Sequence, residues 1–232
     1  MNILIVTFIK MKIVHDINGE NSLFYYQNNF LNKEEYNLLS SWLNKKEFIS
    51  GNCVSGKEIP RQQLWFQENG EYFCKKWMVK YDRWYSNPYE EELIKIQNKI
   101  SGFAKSIKSN ILDDSSIQIP KINSCLINKY RTGSDSIKPH RDTSDSFGFY
   151  PTIIGLSIGS ERNMCIKKIN YNPENVNSLK HDSDTALNMD ITLQDNSLFV
   201  MAGASQKYFT HEIPKSDNNE IRYSLTFREY IC

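Results

Sequence analysis

The chain is 232 residues long, 40% hydrophobic and 24% charged, with a formal net charge of +1. That composition supports one large globular core and excludes a disordered chain, and the near-zero charge leaves any nucleic-acid binding to local patches. Cys53, Cys74, Cys125, Cys165 and Cys232 are odd in number and widely spaced, with no C-x-x-C pair. This argues against a disulfide framework or a zinc cage and for an intracellular, reducing compartment.

The opening MNILIVTFIK is apolar for about nine residues, short of the roughly 20 that cross a bilayer, and lacks the basic start and cleavage site of a signal peptide. Residues 1–20 are therefore expected to be a leader, or an early strand, ahead of a single domain over 21–232. Met11 is a second candidate start. No membrane association is expected, and the chain is expected to be a monomer.

Asn32-Lys33-Glu34-Glu35 reads as a capping box, and Leu39, Trp42 and Leu43 follow at helical spacing, so a helix is predicted over about 33–46. Asn87-Pro88-Tyr89-Glu90 is a second start signal, with proline at the first helical position. Leu93, Ile96, Ile100, Phe103 and Ile107 then step by three or four and give a long helix one apolar stripe. From about 122 the pattern changes to short β-rich runs: INSCLINKY, PTIIGLSIG, NMCIKKI, ALNMDITLQ, SLFVMAG, KYFTHEI and RYSLTFREYI. Short strands without long helices between them predict an antiparallel sandwich or jelly roll. The change from helices to strands falls near 110–121, and the polar stretch 170–184 is expected to be a mobile loop.

In an extended segment His140 and Asp142 point the same way. A histidine from a distant strand would complete a two-histidine, one-carboxylate set with open metal positions, as in non-haem Fe(II) oxygenases. Of the four histidines, His15 lies in the leader and His181 in the polar loop, so His211 is the natural third ligand. An H-x-D is common by chance in a chain with this many acids. It gains weight from the strand Arg222–Arg228, which places Arg222, Ser224, Thr226 and Arg228 on one face and Tyr223, Leu225 and Phe227 on the other. A keto acid on the metal needs a planar partner for its far carboxylate, and arginine supplies one. Arg222 with Thr226, and Asn128 with Tyr130 on another strand, are the candidates. Arg228, about 20 Å further along at roughly 3.3 Å per residue, is placed to reach the metal-side carboxylate or to brace Asp142. The alternative is that both arginines face solvent on an edge strand.

The segments IPRQQLWF (59–66), INKYRTGSDSIKPHRD (127–142), PTIIGLSIGSER (151–162), DNSLFVMAGASQKYFTHEIPK (195–215) and RYSLTFRE (222–229) together resemble the AlkB family of Fe(II)/2-oxoglutarate-dependent dioxygenases, in its nucleic-acid repair branch. The resemblance covers roughly residues 60–229. It implies a mainly β fold with flanking helices, a double-stranded β-helix (jelly roll) with a core over about 120–232 and a nucleotide-recognition lid within about 57–88. It implies His140, Asp142 and His211 as iron ligands, and Asn128, Tyr130 and Arg222 on the far carboxylate of 2-oxoglutarate. Arg228 would meet the metal-side carboxylate and Asp142. Ser224 stands where many members carry asparagine. The implied activity uses Fe(II), 2-oxoglutarate and O2 to demethylate N-alkylated bases such as 1-methyladenine and 3-methylcytosine in DNA. The alternatives are RNA, protein or small-molecule oxidation, or a non-catalytic nucleic-acid-binding module.

Residues 65–89 interleave nine aromatic residues with Lys75, Lys76, Lys80 and Arg83. Such rings stack on bases while nearby cations meet phosphates. Most of them are equally expected to pack on the β-core; Trp65 and Tyr85 are the candidates for sandwiching a flipped base. Arg162, Lys167 and Lys168 form either a phosphate-contacting cluster or a solvated face.

Overall fold

The computed structural model describes residues 10–53, 55–81, 83–110, 117 and 120–231. Expectations that fall on Met1–Ile9, on the Ile107 side chain, on most of the 110–121 boundary and on Cys232 lie outside the described residues.

The first described element corrects the leader reading. β1 (Lys10–Ile17) and β2 (Glu20–Gln27) form an antiparallel hairpin. Asn18 and Gly19 close it at φ 57° and 79°. Positive φ at both positions is what a two-residue turn between twisted strands requires, and Asn-Gly accommodates it at low steric cost. Residues 10–20 therefore belong to the main sheet, with Met11, Ile13 and Ile17 packed against its inner core.

α1 (Lys33–Asn44) begins as the sequence predicts: Asn32 accepts from the Glu35 backbone N–H, and the Glu35 carboxylate accepts from the Asn32 N–H. The second helix starts later than Pro88. After β3 (Gln62–Gln67) and β4 (Ser86–Asn87), α2 spans Glu91–Asn110. Asn87 does not cap it: it ends β4, ahead of the helix start at Glu91, and its amide donates to the Trp65 carbonyl in the sheet at 3.0 Å.

The remaining strands are β5 (Ser124–Tyr130), β6 (Ile137–His140), β7 (Ile153–Gly159), β8 (Arg162–Lys168), β9 (Met189–Leu193), β10 (Ser197–Gly203), β11 (Phe209–Ile213) and β12 (Arg222–Arg228), with one-turn helices α3 (Ser144–Phe147) and α4 (Ser205–Tyr208). An eight-stranded sheet runs β1-β2-β10-β7-β12-β5-β3-β4, and a four-stranded sheet runs β6-β11-β8-β9. Together they make the jelly roll. The seven β-rich runs of the second half each hold a strand, and β1 to β4 and β6 add to them.

Period-two alternation sorts the eight-stranded sheet into two faces. Leu64, Phe66, Cys125, Ile127, Leu156, Leu198, Tyr223, Leu225 and Phe227 point to the helix side, where they meet Leu39, Trp42 and Leu43 of α1 and Leu93, Ile96 and Ile100 of α2 in one cluster. Each fully buried aliphatic or aromatic side chain contributes about 1.5–3 kcal/mol, so this layer is the rigid back of the site. Phe24, Tyr130, Ile153, Phe199 and Met201 point the other way, onto Ile166, Ile191, Phe209 and Ile213 of the smaller sheet. The polar face of β12 looks into that second space.

Candidate active site

Strand pairing brings the two histidines together. β6 and β11 are antiparallel with His140 opposite His211, and the imidazole centroids lie 4.2 Å apart. Asp142 follows β6 by two residues. Its backbone N–H donates to Gln206 Oε1 at 2.9 Å, which fixes the chain as it leaves the strand. Asp142 Oδ1 is 3.9 Å from His140 Nε2 and 4.0 Å from His211 Nε2. The three donor atoms all lie within 4.8 Å of one another. Two ligand bonds of about 2.0–2.2 Å span such separations with small side-chain adjustment.

The donor atoms are also in the right protonation state. His140 Nδ1 lies 2.9 Å from the Lys138 carbonyl; only an N–H can meet that oxygen, so Nε2 keeps its lone pair for a cation. Burial pushes the His140 pKa down. Burial and the neighbouring His140 push His211 down to about 3. Asp142 is opposed by burial, but Arg228, His211 and His140 outweigh it and hold the carboxyl below its usual range. Arg228 Nε sits 2.6 Å from Asp142 Oδ2 in a buried ion pair. At neutral pH the site thus presents two neutral imidazoles and one carboxylate, a donor set suited to Fe(II).

The second half of the site is a buried cation with no anion beside it among the described residues. Arg222 is 1% exposed. Its Nη2 donates to Ser157 Oγ at 2.9 Å and its guanidinium stacks over the Tyr130 ring at 5.2 Å. Nε and Nη1 have no hydrogen-bond partner among the described residues. A buried guanidinium with two donors free and no acid beside it among the described residues fits the carboxylate of a ligand. The register places Tyr130 opposite Arg222 and Asn128 opposite Ser224. Asn128, Tyr130, Ser224, Thr226 and Arg228 therefore share the Arg222 face of neighbouring strands. The edge-strand alternative fails, because β12 lies between β7 and β5 in the middle of the sheet.

Sequence reasoning missed Ser157, Gln206, Arg61 and Gln63. Two of them left a signal: Ser157 is a polar residue at an inward position of the otherwise apolar β7, and Gln63 is the equivalent on β3. Arg61 Nε and Gln63 Nε2 both donate to Asn128 Oδ1, each at 2.9 Å.

The segment between β3 and β4 corrects the substrate candidates. Trp65 is 1% exposed, donates to the Glu71 carbonyl, and is packed by Phe73, Phe147 and Tyr230. A base cannot stack on it. Tyr72, Phe73, Trp84 and the partly buried Trp77 and Tyr81 belong to the same cluster, together with Leu126, Phe147 and Tyr230 from outside the segment between β3 and β4, so these rings hold the segment on the core. Tyr85 is 55% exposed, edge-on to Tyr72. The proposed phosphate cluster dissolves as well. Arg162 is buried under the 132–135 and Pro214 carbonyls, Lys167 pairs with Glu212 and Lys168 with Asp182. The 170–184 loop is tied at its base by the Ile169–His181 bridge and along its length by Arg141, which donates to the Val176 carbonyl.

Comparison with known proteins agrees with this geometry. The profile of the 2OG-Fe(II) oxygenase superfamily matches residues 22–228. DNA oxidative demethylase ALKBH2 of Arabidopsis thaliana is 33% identical over 119 residues, covering 47% of this chain and 38% of that protein. Alpha-ketoglutarate-dependent dioxygenase alkB homolog 3 of Homo sapiens is 36% identical over 107 residues, covering 46% of this chain and 36% of that protein. The chain thus spans less than half the length of these curated relatives. The solved structure of OsALKBH1 superposes with a TM-score of 0.56 at 13% identity, over 89% of this chain and 97% of that one. A Pseudomonas putida prolyl-4-hydroxylase superposes with a TM-score of 0.51 at 11% identity, over 90% and 93%; likenesses this remote speak to the fold alone. Among the described residues no helix is long and apolar enough to cross a membrane. With a profile match over nearly the whole chain and AlkB proteins as its curated relatives, the chain belongs to the 2OG-Fe(II) oxygenase superfamily and is AlkB-like.

Proposed function

We propose that this chain is a dioxygenase that uses Fe(II), 2-oxoglutarate and O2 to demethylate N-alkylated bases, with 1-methyladenine and 3-methylcytosine in DNA as the first substrates to test. The observation that carries the reading is the unpaired, fully buried Arg222 on the same sheet face as the Arg228–Asp142 pair. An anion-binding cation and a cation-binding triad behind one another match a co-substrate that bridges both. The plant relative's name, a DNA oxidative demethylase, supports the choice of substrate.

When bound, iron and 2-oxoglutarate supply the oxidising power: O2 is split between the keto acid, which leaves as succinate and CO2, and the N-methyl carbon, which leaves as formaldehyde. The chain's own residues do the rest. His140, His211 and Asp142 hold the ion as two neutral donors and one charge. Arg228 engages Asp142 Oδ2 and so leaves Oδ1 turned towards the imidazoles. Arg222 receives the far carboxylate, held in orientation by Ser157 and the Tyr130 ring, with Thr226 on the same face. Ser224, half-buried beside Asn128, is shorter than the asparagine common in the family and leaves more room there. Tyr85 is the remaining ring candidate for contact with the nucleic acid.

The test is formaldehyde release from a panel of methylated DNA and RNA oligonucleotides with Fe(II) and 2-oxoglutarate. Release from 1-methyladenine and 3-methylcytosine DNA is expected. Release from RNA alone moves the substrate to RNA, and 2-oxoglutarate turnover that no oligonucleotide stimulates moves it outside nucleic acid.

A further inference from the structure

Asn128 stands between two groups that can only donate hydrogen bonds. Arg61 Nε donates to Asn128 Oδ1 at 2.9 Å. On the other side the Trp84 indole N–H donates to Gln63 Oε1 at 3.2 Å, and Gln63 Nε2 donates to the same Asn128 Oδ1 at 2.9 Å. Neither a guanidinium nor an indole accepts a hydrogen bond, so both amides between them have a fixed orientation. Gln63 must turn its oxygen to Trp84 and its NH2 to Asn128. Asn128 must then turn its oxygen to Arg61 and Gln63. Its NH2 is left for the sheet face it shares with Tyr130, Ser224 and Arg222.

The arrangement is built. Gln63 and Asn128 are 5% and 6% exposed, and they sit opposite each other in the β3–β5 register. Arg61 is fixed at its other end by a bond to the Ser136 carbonyl, 3.3 Å away. Trp84 belongs to the lid cluster, with the Arg83 guanidinium over its ring at 4.1 Å. A chain of donors therefore runs from the lid to the dicarboxylate site.

The geometry points to Arg61, Gln63 and Trp84 as positioning residues that lock the Asn128 amide so that its NH2, and not its oxygen, faces the co-substrate. This rests on the co-substrate reading above. An unlocked amide would turn its oxygen towards a carboxylate part of the time, and two acceptors facing each other repel. Arg61 and Gln63 thus act on 2-oxoglutarate through Asn128, without touching it. A lid displaced at Trp84 frees Gln63 and weakens the same lock.

The experiment is calorimetric binding of 2-oxoglutarate to the Mn(II)-loaded full chain without substrate, alongside thermal unfolding of each variant. The wild type is expected to bind. Asn128→Ala sets the ceiling of the effect, expected near 10-fold in Kd, the order of a hydrogen bond to a charged group. Arg61→Leu combined with Gln63→Leu is expected to weaken binding 5- to 10-fold, and Gln63→Leu alone two- to threefold, because Arg61 still holds the amide. The diagnostic result is non-additivity: in an Asn128→Ala background the same two substitutions should cost nothing further. A structural role would lower the unfolding temperature and cost the same factor in both backgrounds. Unchanged affinity in the Arg61/Gln63 variant, or an equal loss in both backgrounds, overturns the lock while leaving the function standing. Failure of the wild type to bind 2-oxoglutarate overturns both.

Discussion

Arg222 makes an opposite demand on stability and on binding, and the two can be separated by one substitution. Arg222→Met keeps most of the side-chain volume and removes the charge. In the ligand-free protein this deletes one hydrogen bond to Ser157 and a stack on Tyr130, together worth about 1.5–3.5 kcal/mol. It also removes two buried donors that have no partner, each a penalty of roughly 1–3 kcal/mol. The balance runs from a loss of about 1.5 kcal/mol to a gain of about 4.5 kcal/mol, centred on a gain, in line with the low net value of buried charge. In a chain of this size about 1 kcal/mol moves Tm by roughly 2–4 °C. Differential scanning fluorimetry without 2-oxoglutarate should therefore show Tm raised, unchanged or lowered by no more than about 6 °C. Added 2-oxoglutarate should raise Tm for the wild type and leave the variant where it is. Truncating a buried charged hydrogen-bond partner costs about 2–5 kcal/mol, so the co-substrate requirement should rise by two to three orders of magnitude. A ligand-free Tm that falls by more than about 6 °C would show that Arg222 is a structural cation and would refute the reasoning.

Replacing His140 or Asp142 by alanine should abolish turnover and tight metal binding while the far-UV spectrum stays native; near wild-type activity in either variant removes the metal assignment. In the metal-free protein, stability should fall with acid. The His211 pKa is depressed to about 3 and that of His140 is lowered, so the unfolded chain binds more protons than the folded one below about pH 6.5, and stability present above that pH is lost as pH falls towards the folded values. Asp142, depressed as well, extends the loss in the same direction below its ordinary range. From His211 alone this amounts to about 2 kcal/mol between pH 6.5 and pH 5, measurable by urea unfolding at pH 7.5 and 5.0; equal midpoints at the two pH values would contradict it. Trp65→Ala should cost about 3–5 kcal/mol as a buried-aromatic deletion, whereas Tyr85→Ala should leave Tm within a degree or two and raise the KM for methylated oligonucleotide. A stable, fully folded Trp65→Ala with a raised oligonucleotide KM would restore the ring that the structure withdraws.

Those two rings show where sequence reading works and where it stops. The capping box at Asn32, the apolar stripe of α2 and the alternation of β12 are local signals, and each describes what the structure contains because three or four neighbouring residues decide them. The H-x-D and the distant His211 were legible because metal chemistry restricts which side chains can serve, although their approach depends on a cross-strand register that no local pattern contains. The sequence reading allows an early strand within residues 1–20 but not the hairpin of β1 and β2, even though Asn18-Gly19 is the shortest-range signal of all. Its position near an apolar start invited a reading as leader. Trp65 and Tyr85 carry the same chemistry, and only the packing of Phe73, Phe147 and Tyr230 from three separate segments distinguishes them. The same holds for Arg162 against Arg222. Both are inward-facing arginines whose guanidiniums lie over Tyr130, but Arg162 is surrounded by carbonyls and Arg222, among the described residues, meets only the Ser157 and Tyr130 side chains. What marks a binding arginine is therefore the acceptors it lacks, a property of the assembled neighbourhood that appears only once every strand is in register.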